Sequence, residues 1–154
     1  MKAVIQRVKY ASVKVSGETV GSINEGFLIL LGVVKEDNEK QAEQLAEKIA
    51  RLRVFTDQND KMNLSLLDIE GEALVISNFT LAADLRRGNR PSFDPAMPPV
   101  DANRLYEYFC DMLQKCGVKR VEKGVFGADM AVELLNDGPV TITADTDIWN
   151  KPRN

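Results

Sequence analysis

The sequence predicts an α+β fold in a single domain, residues 1–154: a mainly antiparallel or mixed β-sheet with two principal helices. Two observations predict it. About eight short apolar runs carry strand patterning while two longer segments carry helical spacing. Strands and helices also fail to alternate regularly, as a chain of βαβ units would require.

The first strand is residues 2–15, where Ala3, Ile5, Val13 and Val15 share one parity. Ser16-Gly17 turns the chain into a second strand, Thr19–Ile23. The run "GFLILLGVV" at Gly26–Val34 is apolar throughout, the mark of a strand buried on both faces. Asn38 with Gln41 three residues on is a capping-box start for the first helix. Ala42, Leu45, Ala46, Ile49 and Leu52 form its apolar stripe, and it ends near Arg53. Val54-Phe55 leads into a polar turn, Asp57–Lys61. Leu64–Ile69 and Ala73–Leu81 are expected to pair about the turn Glu70-Gly71. Residues 83–100, with Pro91, Pro95, Pro98 and Pro99, read as a long loop, and such loops are commonly functional. Asp101 is the expected N-cap of the second helix, with Leu105, Tyr108, Phe109, Met112 and Leu113 on its apolar side and Gly117 at its end. Val118–Lys123 is a short strand, and Met130–Leu135 and Val140–Ala144 are the last two.

Composition limits the function. Hydrophobic residues make up 44% and charged residues 28%, ordinary values for a globular domain of 154 residues. The net charge of −3 gives no general attraction for polyanions. No apolar run approaches the roughly 18 residues of a membrane span, and the opening Met1-Lys2-Ala3-Val4 has no signal-peptide character. A cytoplasmic protein with no membrane partner is therefore expected. Cys110 and Cys116 are six residues apart on a helix, about 240° around its axis, which argues against a mutual disulfide. The count of histidines is zero, so a Ser-His-Asp triad, a Cys-His pair and any His-containing zinc site are excluded within one chain. No ligand cluster with EF-hand or zinc spacing is visible, and no metal or cofactor is expected.

Four stretches could carry chemistry. In "SNFTLAAD", a strong strand runs straight into Ser77, Asn78, Phe79 and Thr80. Those residues either close the strand or form a site in which backbone N–H groups hold an oxyanion. In "RRGNRPSF", Arg86, Arg87 and Arg90 surround a glycine, as a phosphate-contact loop or a solvated one. Arg7, Lys9, Lys14, Lys119, Arg120 and Lys123 could extend it into a basic face. "GVFGADM" places Phe126 and Met130 in a pocket wall or in a simple bend, and Asp129 is a general base by residue type without a visible partner. In "LLNDGPVTI", Asn136-Asp137-Gly138-Pro139 separates two strand-like runs. Proline cannot donate to a β-ladder, so Pro139 belongs at a strand root, an edge or a bulge. On physics alone the Gly138-Pro139 bond is either trans and structural or cis, the rarer state.

Taken together, "MKAVIQRVKYASVKV", "SNFTL", "GNRPSF", "FGADM" and "NDGPVT" resemble, in order and spacing, the D-aminoacyl-tRNA deacylases, first known as D-tyrosyl-tRNA deacylases. The resemblance covers essentially the whole chain. One departure is visible: the usual Ser-Gln-x-Thr segment has Asn78 in place of glutamine. The resemblance implies a sheet-packed homodimer that hydrolyses the ester joining a D-amino acid, or mischarged glycine, to the terminal adenosine of tRNA. It implies catalytic positions at Ser77, Asn78, Phe79 and Thr80, substrate contacts from Phe126, Met130, Gly138 and Pro139 with support from Arg7, and tRNA contacts from Arg86, Arg87 and Arg90. It also implies a cis Gly138-Pro139 peptide that enters the partner's pocket and rejects L side chains. Two mechanisms follow: oxyanion stabilisation with Thr80 as an orienting contact, or Thr80 as nucleophile. The rival readings are a non-catalytic RNA-binding module using loop 86–90 and a small-molecule hydrolase without an RNA partner.

Overall fold

The structure is a computed structural model that describes residues 1–153. Its centre is β1 (Lys2–Val15), which joins β2 (Glu18–Ile23) through a tight turn. Ser16 and Gly17 both take positive φ there, 51° and 80°, as a two-residue hairpin of this twist requires. β1 also pairs antiparallel with β3 (Gly26–Gly32), which is buried at six of its seven positions. The sheet continues in parallel through β6 (Glu72–Ser77) to β7 (Arg120–Lys123).

Parallel neighbours need crossovers, and the two helices supply them. α1 (Glu39–Ala50) and a small hairpin of β4 (Phe55–Thr56) with β5 (Met62–Leu64) lie between β3 and β6. α2 (Pro99–Lys115) lies between β6 and β7. The expected hairpin of Leu64–Ile69 with Ala73–Leu81 is therefore replaced. Of the first run only Leu64 is strand, within Met62–Leu64 paired to β4, while residues 66–70 are turns; the second run holds β6 and then the 3-10 turn Phe79–Ala82. Two apolar runs joined by Glu70-Gly71 look like a hairpin, but the second is taken by β3 and β7 on its two edges.

α1 forms the expected capping box: Asn38 accepts from the Lys40 amide, and the Gln41 side chain accepts from the Asn38 amide at 2.9 Å. α2 starts earlier than expected. Pro98 is its N-cap and Pro99 opens the helix, where a missing N–H has no partner to lose. Asp101 sits in the first turn instead, well placed against the helix dipole. Its buried side is Leu105, Tyr106, Phe109, Cys110 and Leu113, with Tyr108 and Met112 only partly covered. The stripe rotates because Tyr106 can go inside: its hydroxyl donates to the Val75 carbonyl at 2.7 Å.

Two cores result. The helices cover one face of the sheet around Ile5, Phe27, Ile29, Leu45 and Phe109. The other face curls on itself around Val8, Val13, Leu28, Leu74 and Ile76. Gly21 makes the curl possible: a Cβ there would sit 2.7 Å from the Lys123 carbonyl. The single parity expected for β1 hides a switch. The pairing with the last strand shifts between Val8 and Ala11, so Ala3 and Ile5 face the helices while Ala11 and Val13 face the second core.

That last strand, β8 (Ala131–Asp145), is one continuous element rather than two. It runs antiparallel to β1 along nearly its whole length. Gln6 pairs with Thr141 and Val8 with Asn136, so Asp137 to Val140 bulge out opposite Arg7 alone. α3 (Thr146–Trp149) follows. No helix among the described residues is long and apolar enough to cross a membrane.

Candidate functional site

The end of β6 and the 3-10 turn after it build the centre of the site. Ser77 closes the parallel pairing opposite Leu31, and the Asn78 amide donates to the Leu31 carbonyl at 2.8 Å. That amide is therefore occupied and cannot serve an oxyanion, which leaves the N–H groups that follow it. The next two N–H groups, of Phe79 and Thr80, open the 3-10 turn and have no acceptor among the described residues. The turn is pinned from below by the bonds Leu81 N–H to Asn78 carbonyl and Ala83 N–H to Thr80 carbonyl.

Gly32 lets this turn sit where it does. A Cβ on Gly32 would lie 2.9 Å from Leu81 Cβ and 3.1 Å from the Asn78 carbonyl oxygen. It was not among the expected site residues, because a glycine inside an apolar run signals close backbone approach without saying to what.

Thr80 is exposed, and its hydroxyl donates to Asn78 Oδ1 at 2.5 Å. The shorter amide in place of glutamine thus reaches the threonine two residues on. Phe79 is 57% exposed and meets Phe93 edge-on, ring centroids 5.1 Å apart. Both rings border a cleft of about 920 Å³ that Ser77, Asn78 and Thr80 also line. Phe126 and Met130 form part of its wall, so the "GVFGADM" segment joins the turn in one cavity. The floor is apolar, with Leu28, Leu30, Ile76 and Leu134.

Gly138 and Pro139 do not line this cleft within the same chain. They are exposed on the β8 bulge, and the bond between them is cis. Arg7 holds the bulge down. Its Nε donates to the Asp137 carbonyl at 2.9 Å and its terminal nitrogen to the Val54 carbonyl at 2.7 Å. Asn136 closes the bulge: its Oδ1 accepts from the Val140 amide and its Nδ2 donates to Thr141 Oγ1, both at 2.9 Å. Gly138 has φ 135°, and a Cβ on it would lie 2.9 Å from Val140 Cγ2 and 3.1 Å from the Arg7 guanidinium. Asn136 was missed as a supporting residue because its sequence context reads as turn punctuation.

Four of the six cations expected to extend the loop into a basic face are buried or paired, while Lys14 and Lys119 are exposed. Arg7 is buried, and Lys9 lies 3.3 Å from the Asp137 carboxylate. Arg120 pairs with Glu122 at 2.7 Å and Lys123 with Glu107 at 2.6 Å. In the long loop, Arg86 pairs with Asp84 at 2.6 Å, and this bond holds the Asp84 carboxyl down to about 2. Arg87 and Arg90 are exposed with no carboxylate within ion-pair distance among the described residues. None of the three arginines lines the cleft.

The chain is similar to known proteins over nearly its whole length. Residues 4–145 match the family model described as D-Tyr-tRNA(Tyr) deacylase. A D-aminoacyl-tRNA deacylase of Ruegeria pomeroyi is 59% identical over 145 residues, 94% of this chain and 99% of that protein. One of Geotalea daltonii is 56% identical over 146 residues, 95% of this chain and 97% of that protein. Among solved structures, one titled c-Myc DNA Unwinding Element Binding Protein superposes with a TM-score of 0.90 at 42% identity, covering 95% of this chain and 99% of that one.

Proposed function

The chain belongs to the D-Tyr-tRNA(Tyr) deacylase family, and from that premise we propose how its cleft hydrolyses D-aminoacyl-tRNA and spares the L form. The protein is a D-aminoacyl-tRNA deacylase, an ester hydrolase. The observation that carries the mechanism is the pair of unoccupied amides at Phe79 and Thr80, beside an apolar cleft with no histidine anywhere in the chain.

An aminoacyl ester is activated, so it needs less assistance than an amide. Water adds to the ester carbonyl, and the developing oxyanion takes hydrogen bonds from the Phe79 and Thr80 N–H groups. One well-aimed donor of this kind is worth about 3–4 kcal/mol. The carbon–oxygen bond to the ribose then breaks, and the departing ribose oxygen takes up a proton. The neighbouring 2′-hydroxyl assists in activating water, which removes the need for a protein base. Thr80 orients the substrate. Its proton points to the Asn78 amide oxygen, a neutral group too weakly basic to make the threonine a nucleophile.

Chiral rejection comes from a second copy of the chain. Gly138 and Pro139 lie outside their own cleft but stand exposed on a bulge braced by Arg7 and Asn136. In a homodimer this backbone enters the partner's cleft and faces the substrate's α-carbon, where an L side chain would collide with it. Backbone excludes bulk without changing rotamer. Glycine has no side chain to reject, so glycyl-tRNA is also a substrate. Arg87 and Arg90 contact the tRNA outside the cleft, with Arg86 held to Asp84.

A crystal structure with a non-hydrolysable D-aminoacyl-adenosine analogue tests this reading. The ester-mimicking oxygen is expected within hydrogen-bond reach of the Phe79 and Thr80 amides, with the partner's bulge over the α-carbon. An analogue seated away from residues 77–80, or a bulge remote from both clefts, would overturn it.

A further inference from the structure

We propose that Lys35 is a specificity residue that recognises the phosphate joining the terminal adenosine of the tRNA to the nucleotide before it. This rests on the assignment of the cleft to the aminoacylated adenosine. Among the described residues lining the cleft, Lys35 carries the only cationic side chain. It is exposed and has no carboxylate within ion-pair distance among the described residues, although Asp94 and Asp129 line the same cleft.

Its backbone is held on several sides. The Lys35 amide donates to the Pro95 carbonyl at 3.0 Å, and the Met97 amide donates to the Val33 carbonyl at 3.0 Å. Val34 bridges Ala96, and the Val34 amide donates to the buried carboxylate of Asp37 at 2.7 Å. The lysine thus projects from a fixed rim, tied both to the end of β3 and to the long loop.

The substrate's chemistry supplies the partner. Its ester and its 5′-phosphate sit on the same ribose, so a cleft that takes the ester end brings one negative charge to its rim. That charge has one cation available there. The arginines of the 86–90 loop lie outside the cleft and meet other parts of the nucleic acid. An ester of free adenosine lacks the phosphate and gains nothing from Lys35. The lysine therefore distinguishes tRNA esters from small-molecule esters of the same amino acid.

The test compares kcat/KM for matched D-aminoacyl-tRNA and D-aminoacyl-adenosine. The parent is expected to prefer the tRNA ester, and Lys35→Ala to narrow that preference about tenfold, with Lys35→Arg restoring most of it. The log–log salt slope of tRNA binding is expected to fall by about 0.7 in Lys35→Ala, the value for one lost contact to a single strand. A preference ratio equal to the parent's, or loss of the same factor on both esters, would overturn the assignment. A parent that hydrolyses neither ester would strike the cleft assignment itself and take this inference with it.

Discussion

Two backbone amides and one glycine carry the proposed chemistry. Thr80→Ala removes an orienting contact but leaves both amides in place. Single-turnover rates are expected to fall by no more than about 100-fold; a loss on the order of 10⁴ with binding preserved would make the hydroxyl a direct participant. Gly138→Ala meets a φ of 135° and a Cβ 2.9 Å from Val140 Cγ2 and 3.1 Å from the Arg7 guanidinium. The bulge must shift, so D-substrate kcat/KM is expected to fall at least tenfold, measured beside a circular dichroism spectrum that stays like the parent's. Cysteine chemistry separates the two thiols. Burial pushes Cys110 up to about 12, so at pH 8.5 it stays a neutral thiol and native protein should not alkylate there. Cys116, partly exposed at the end of α2, should label first, and Cys110 only on unfolding. Mass spectrometry of iodoacetamide-treated protein reads this directly; fast native labelling of Cys110 would contradict the packing of α2.

At the element scale, the site depends on a close approach of β3 and the 3-10 turn. Gly32→Ala puts a methyl against Leu81 Cβ and the Asn78 carbonyl. Overpacking of this kind costs about 1–3 kcal/mol and moves the turn that carries the Phe79 and Thr80 amides. Activity is therefore expected to fall more steeply than thermal stability, in kcat rather than KM; unchanged kcat would show that the turn is not held by this contact. The elements differ in how far their sequences announce them. The capping box of α1 and the turn at Ser16-Gly17 are legible because each is a local hydrogen-bond or dihedral requirement. The parallel pairing of β6 is not, since its partners lie more than forty residues away in β3 and β7. β8 reads as two strands because Asp137-Gly138-Pro139 looks like a turn, and only the register with β1 shows that it is a bulge. The "SNFTL" and "FGADM" stretches come together in one cleft, but the loss of the Asn78 amide to Leu31 belongs to three-dimensional pairing.

At the scale of the whole molecule, a single chain supplies a cleft and, away from it, a braced backbone bulge. Among the described residues the outer edge of β8 has no strand partner and Gly138-Pro139 is exposed, which suits the proposed pairing of two copies. A long unpaired edge is a liability in a monomer and a resource in a dimer. The proposed source of stereochemistry is this backbone, rather than any side chain or general base. The most direct test is a time course of amino-acid release from matched D- and L-charged samples of one tRNA. Rapid release is expected from the D-charged tRNA and none above the spontaneous rate from the L-charged one; equal release from both would contradict the backbone gate.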